Sequence, residues 1–186
     1  MFEGYLMESL LTDRLLLLPL TLRDAQQIQQ KFPIWDVVKY LDASAVPWPY
    51  PAEGGLTFVR DIALPKMQCG SGFFWSIRPK VAPDTLIGVI NLVCDTEDHR
   101  GFWLSPEWQG QGLISEASTA VTHFWFTQLN RPYLRVTKAA PNQASAAISR
   151  KNGMRLVGRE ERDYVGGHFP TEIWEIRREE WLKNNR

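Results

Sequence analysis

A short apolar run, Gly101-Phe102-Trp103-Leu104, is followed by a glycine-bearing turn, Trp108-Gln109-Gly110-Gln111-Gly112, and then by apolar residues at Leu113, Ala117, Ala120, Val121, Phe124 and Leu129. The first run reads as a strand. The last recurs at three- and four-residue spacing, so one face of a helix is apolar. A strand, a glycine turn and a helix start bring several unpaired backbone N–H groups to one point. Such a point attracts anions, and phosphates in particular.

Three kinds of phosphate loop could occupy this place. A Walker loop needs Gly, four residues, then Gly-Lys-Ser/Thr, and no such string occurs. A dinucleotide fingerprint needs a third glycine three residues after Gly112, where Ser115 stands. The acetyl-CoA loop of the GNAT N-acetyltransferases, Gln/Arg-x-x-Gly-x-Gly/Ala, is similar at Gln109 and Gly112 and departs at Ile114, where a small residue is usual. An ordinary helix start with glycines for a tight turn accounts for the stretch as well. The rest of the chain has to decide.

With 186 residues, the chain suits one domain with a proper core. Its 21 basic and 21 acidic side chains cancel, so bulk charge points to neither nucleic acid nor an anionic membrane as partner. No apolar run approaches the ~20 residues that span a bilayer. No basic segment leads into an apolar one at the N-terminus, so no signal peptide is expected. Cys69 and Cys94 have no metal-ligand spacing and no framework pattern, so no metal is expected and the cytoplasm is the default. The eight Trp are an excess, and several should line a pocket or an interface.

Along the chain, Arg14–Pro19 predicts a buried strand stopped by proline. Thr21 with Asp24 resembles a capping box, ahead of a helix striped by Leu22, Ala25 and Ile28. Pro33 ends it, and 34–41 can form a second short helix. Three prolines then alternate with bulky residues through Pro47-Trp48-Pro49-Tyr50-Pro51, which predicts a stiff, extended loop. That loop is either a connector or one wall of a substrate pocket carrying Trp48 and Tyr50. Residues 52–64 look helical, and 72–78 and 85–94 look like strands joined by a hairpin loop. Tyr133–Thr137 alternates as a strand does. Asn142–Asn152 reads as a helix with Gly153 at its C-terminal cap. Gly166-Gly167 marks a hairpin between 156–165 and 168–177. The expected fold is one α/β (α+β) domain over 1–186, with a mixed, mostly antiparallel sheet flanked by helices.

Residues 142–154 read Asn-Gln-Ala-Ser-Ala-Ala-Ile-Ser-Arg-Lys-Asn-Gly-Met. Their order after the loop, its helix and strand 133–137 resembles the GNAT core. Asn-x-x-Ser followed by Lys-x-Gly is similar to the ribosomal-protein N-acetyltransferase branch, and so are Thr12-Asp-Arg-Leu-Leu-Leu, Gly101–Leu104 and Arg178-Glu-Glu-Trp-Leu182. Met154 stands where that branch favours Phe, and Ser149 where many GNATs place a Tyr acid.

The resemblance implies acetyl-CoA as co-substrate and an amine acceptor, either a peptide N-terminus or a small molecule. A homodimer is left open. Backbone groups of Gln109, Gly110, Gln111 and Gly112, with Leu113 at the helix start, would hold the pyrophosphate. Phe102, Trp103 and Leu104 would present backbone groups to the pantetheine arm. By resemblance, Asn142 hydrogen-bonds the pantetheine and Ser145, one turn on, protonates the departing sulfur. A base is less defined: Glu160 leads a group with Glu161, Asp163 and Glu97, and His99, His168 and His123 follow. An α-amine, with an ordinary pKa near ~8, needs only a weak base or a water relay. The competing expectation is a catalytically idle GNAT-fold module that binds acyl-CoA as a sensor or scaffold, a reading favoured by Ile114 alone.

Overall fold

A computed structural model describes residues 7–185. Strands β1 (Leu10–Leu11), β2 (Leu15–Pro19), β3 (Gly72–Pro79), β4 (Gly88–Val93) and β5 (Arg100–Leu104) form one sheet in that order. β6 (Tyr133–Ala139), β7 (Arg155–Tyr164) and β8 (Gly167–Arg177) form a second, ordered β6-β8-β7. Every ladder in both is antiparallel. The helices are α1 (Ala25–Lys31), α2 (Trp35–Val38), α3 (Gly54–Thr57), α4 (Leu64–Cys69), α5 (Leu113–Thr127), α6 (Gln143–Lys151) and α7 (Arg178–Asn184). Among the described residues, no helix is long and apolar enough to cross a membrane.

Strand period decides which side chains meet. In β3, Phe73, Trp75 and Ile77 face one core with Leu15, Leu17, Val121, Phe126, Leu134, Ile176 and Trp181. Phe74 faces the other, with Leu20, Ile28, Val38, Val59, Leu86, Val89 and Trp103. The first sheet is therefore covered on both faces, by α5 on one side and by α1 and the 54–69 helical run on the other. The run of four leucines before Pro19 behaves the same way. Leu15 and Leu17 are fully buried while Leu16 and Leu18 are half-buried.

Several expected boundaries move: the strand expected over 85–94 runs Gly88–Val93, and the second short helix Trp35–Val38. The helix expected over 52–64 begins at Gly54 and continues to Cys69 through Pro65. Proline has no N–H and its ring collides with the carbonyl four residues back. The turn before it is widened over Phe58–Ala63, with the Leu64 N–H reaching back five residues to the Val59 carbonyl, and the proline is taken up without a break. Thr21 and Asp24 do form the capping box, around a single 3₁₀ turn that leads into α1.

β5 and β6 belong to different sheets but touch at their starts. His99 N–H donates to the Arg135 carbonyl and His99 Nδ1 accepts the Arg135 N–H, both at 2.9 Å. Asp98 Oδ1 accepts the Thr137 N–H at 2.9 Å. Beyond these bonds the strands share no ladder, and one cleft has Phe102–Leu104 on one side and Asn142, Ser145 and Ile148 on the other.

The position of β5 depends on a close approach at Gly88. A Cβ there would lie 2.3 Å from the Trp103 carbonyl oxygen. Gly88→Ala is expected to push β4 from β5 and to cost roughly 1–3 kcal/mol, the usual range for overpacking. Denaturant midpoints of the two proteins measure it.

Candidate active site

The cleft has a volume of about 540 Å³. The glycine turn forms part of its lining. Gly110 and Gly112 sit at φ +73° and +77°, a region open to glycine at little cost, and Gly112 caps α5. Among the described residues, Glu116 N–H is the first amide of the helix start to find a backbone acceptor, the Gly112 carbonyl; those of Gly110 through Ser115 have none. These amides converge at the positive end of a 15-residue helix. Gln109 Nε2 donates back to the Leu104 carbonyl at 2.8 Å and ties the turn to β5.

Glu116 anchors the turn to the start of β2. Its carboxylate accepts Thr12 Oγ1 at 2.5 Å and the backbone N–H and Nε of Arg14 at 2.8 Å each. Burial alone would raise its pKa, but these donors hold it below the ordinary glutamate value. Arg14 also donates to the Gln111 carbonyl at 3.0 Å. Thr12 and Arg14, conspicuous in the sequence, thus act on the loop through the Glu116 carboxylate, and Arg14 also directly through the Gln111 carbonyl.

Also lining the cleft, Asn142 caps α6 by accepting the Ser145 N–H at 3.2 Å. Ser145 lines the cleft. Behind it lies Lys138 of β6, only 5% exposed. Its Nζ donates to the Ser145 carbonyl at 2.9 Å, to Ser145 Oγ at 3.2 Å and to Ser149 Oγ at 2.5 Å. Burial, then the nearby charge of Arg100, pushes the Lys138 pKa down to about 7. The sequence reading passed over this lysine. Period-two alternation from Leu134 and Val136 was the available signal, since it puts Lys138 on their buried face.

The sequence matches the family profile described as "Acetyltransferase (GNAT) domain" over residues 14–155, well over half the chain. The chain belongs to the GNAT acetyltransferases. Solved structures agree in fold. A RimL ribosomal L7/L12 alpha-N-protein acetyltransferase in complex with coenzyme A superposes with TM-score 0.77 at 19% identity, covering 91% of this chain and 98% of that one. The ribosomal-protein-S5-alanine acetyltransferase from Vibrio fischeri gives 0.79 at 15% identity, over 94% and 98%. A microcin C7 self immunity acetyltransferase in complex with acetyl-CoA and AMP gives 0.74 at 17% identity, over 89% and 93%.

In this GNAT, the residues expected at the site from sequence separate into two groups. Phe102, Trp103, Leu104, Gln109, Gly110, Gly112, Leu113, Asn142 and Ser145 all line the cleft. Gln111 turns aside, its amide donating to the Glu107 carbonyl at 3.3 Å. Ile114 lines the cleft and also packs on the core beneath α5.

Trp48, Tyr50 and Glu160 are not among the lining residues. Trp48 rests against Trp35, with ring centroids 5.9 Å apart. Tyr50 lies edge-on to Phe32 at 5.1 Å, and burial pushes its pKa up to about 12. Glu160 is on β7, ion-paired to Arg162. His99 is buried and, because Nδ1 accepts a backbone N–H, carries its proton on Nε2 when neutral; burial lowers its pKa. His168 bonds to Asp163 Oδ1 at 2.7 Å on the exposed hairpin.

The cleft is lined instead by Asp36, Val37, Lys39, Tyr40 and Leu41, on and just after α2. This segment is strapped to the β7–β8 hairpin. Gly166 N–H donates to the Lys39 carbonyl and Val165 N–H to the Leu41 carbonyl, both at 2.9 Å, and Ala43 N–H donates to the Asp163 carbonyl at 3.1 Å. Sequence reasoning gave 34–41 no role, because a four-residue helix has too few positions to show a face.

Proposed function

We propose that the protein transfers the acetyl group of acetyl-CoA to a primary amine, a peptide α-amine or a small amine, by direct attack in a ternary complex. The observation that carries this reading is one cleft lined together by loop residues with free amides, by Ser145 and by residues on and just after α2.

The residues present fit the group they would hold. The amides of Gly110–Ser115 would bind the pyrophosphate, and the glycines let backbone approach it closely. Phe102–Leu104 and Asn142 flank the path of the pantetheine arm, and Ser145 would meet the thioester sulfur. The bound thioester supplies an activated acyl carbon. Ser145 Oγ holds the proton that the departing sulfur takes up.

What lines the cleft supports direct attack. Neither Cys69 nor Cys94 does, so no thiol stands ready to carry the acetyl group between two half-reactions. Asp36 is the carboxylate on the cleft wall, paired to Lys39 at 2.7 Å. A water between it and the amine would suffice for an α-amine.

Calorimetry with acetyl-CoA, followed by CoA release with a panel of peptide and small amines, tests the reading. Binding at micromolar or better affinity, on the order of −8 kcal/mol, with release above background for one amine is expected. Binding without release for any amine would favour an acyl-CoA sensor. Absence of binding would remove the assignment.

A further inference from the structure

A buried cation directly behind a hydroxyl that has to give up a proton is an arrangement with a chemical consequence. We propose that Lys138 is the proton reservoir for Ser145: as an ammonium it donates to Ser145 Oγ, turns that hydroxyl's hydrogen into the cleft, and replaces the proton that leaves with the CoA sulfur. The proposal rests on the cleft being the acetyl-CoA site.

The orientation follows from counting donors. An ammonium has three N–H groups and no lone pair. Lys138 has three acceptors in range, the Ser145 carbonyl, Ser145 Oγ and Ser149 Oγ. A hydroxyl that accepts from Lys138 directs its own hydrogen elsewhere, and for Ser145 the open direction is the cleft it lines. A neutral amine has a lone pair, draws one of the two hydroxyl hydrogens inward, and disarms the donor.

The transfer balances. The amine nitrogen bonds the acyl carbon and gives up one proton to the water beside Asp36; as the carbon–sulfur bond breaks, the Ser145 O–H bond breaks and a sulfur–hydrogen bond forms. A Lys138 N–H bond breaks as the Ser145 O–H bond is restored. Lys138 is left as a neutral amine and regains a proton from water in the emptied cleft, through the same hydroxyl.

The surroundings make the proton available. Lys138 faces Ser145, Ser149 and Arg150 of α6, Arg100 of β5, Asp98 just before it and Glu172 of β8. Burial and then the two arginines favour release of the proton; Asp98 and Glu172 oppose them. Arg100 is itself buried and bonded to Thr122 at 2.7 Å and Asn152 at 3.0 Å, so its charge is fixed in place. A thiol with an ordinary pKa near ~8.5 is more basic as thiolate than a Lys138 amine with a pKa of about 7, so transfer runs downhill.

The test uses the full chain. Turnover of acetyl-CoA is followed by CoA release over about pH 5.5 to 9.5, with the amine that supports release held saturating at every pH and the uncatalysed rate subtracted. Because the protonated lysine is the active form, wild-type kcat should fall as pH rises through about 7. Lys138→Met should be slower by roughly tenfold or more at neutral pH and should lack that falling limb. Lys138→Arg, whose charge does not titrate, should recover part of the rate with a flat profile. A Lys138→Met profile with the wild-type limb overturns the relay.

A second arm needs no acceptor. With lysine labelled at Cε, the carbon signal missing from Lys138→Met should titrate near neutrality in wild type and move when Ser145→Ala is introduced. Titration in the ordinary lysine range overturns the relay whether or not any amine is turned over. Failure of acetyl-CoA to bind wild type would instead count against the cleft as a CoA site, a result distinct from either of these.

Discussion

Ser145→Ala is expected to lower kcat by roughly 10²-fold, the usual scale of a lost general acid, while leaving the Kd for acetyl-CoA near its wild-type value. The two quantities separate because of where the hydroxyl sits. On the proposed function, affinity would come from the loop amides and from the cleft wall at Phe102–Leu104 and Asn142, none of which the Ser145 hydroxyl supplies. The fold should also survive. Asn142 caps α6 through the backbone N–H of residue 145, which alanine keeps. Lys138 retains the backbone carbonyl and Ser149 Oγ as acceptors. Single-turnover release of CoA against calorimetric affinity measures the split. A wild-type rate in the folded variant would assign the proton to another donor.

Lys138→Met is expected to stabilise the protein at neutral and acid pH, even as it slows the reaction. The sign is worked from linkage. The folded-state pKa of Lys138 lies at about 7, below the ordinary lysine value of 10.5. Between those two values the unfolded chain binds a proton that the folded chain does not, so stability rises with pH across the window. Below about 7 both states are charged, and the full cost of the buried ammonium is borne by the folded one. That cost is on the order of 5 kcal/mol if all of the shift is carried by the folded state. Methionine fills a similar volume without a charge. Denaturant midpoints should therefore place Lys138→Met above wild type by a few kcal/mol near pH 6 and bring the two together near pH 10. A variant less stable than wild type at low pH would show that the three hydrogen bonds outweigh the desolvation.

The contrast between these two serines and their lysine shows what a sequence can carry. The glycine turn Gln109–Gly112 was legible because glycines between a strand and a helix describe their own geometry. The β7–β8 hairpin was legible for the same reason, through Gly166 and Gly167. Asn142 and Ser145 were picked out by resemblance to the ribosomal-protein branch, since a capped helix of small residues is ordinary by itself. Lys138 was not, because its significance depends on α6 folding back over β6, and only alternation with Leu134 and Val136 hinted at burial. The course of the chain through Pro65 was hidden as well, since a widened turn leaves no mark in residue spacing. Trp48 and Tyr50 were singled out by size and stiffness. Their partners, Trp35 and Phe32, come from helices too short or too ordinary to announce a contact. The wall that does close the cleft, around Asp36 to Leu41, has no composition that sets it apart.

The strap between α2 and the hairpin bears on how this enzyme could be re-engineered. Residues 36–41 hang from backbone donors at Val165 and Gly166, and Ala43 returns the bond to Asp163. A graft that imports the 33–51 segment from a relative, leaving the hairpin native, would have to reproduce the same carbonyl positions or strand those amides. On the proposed function, acceptor preference would be inherited as a pair of segments more than a hundred residues apart in the chain. Recombination libraries should exchange 33–51 together with 163–168. Crossovers that separate the two should yield folded cores with a collapsed or splayed acceptor end, binding acetyl-CoA normally and serving neither parent's amine.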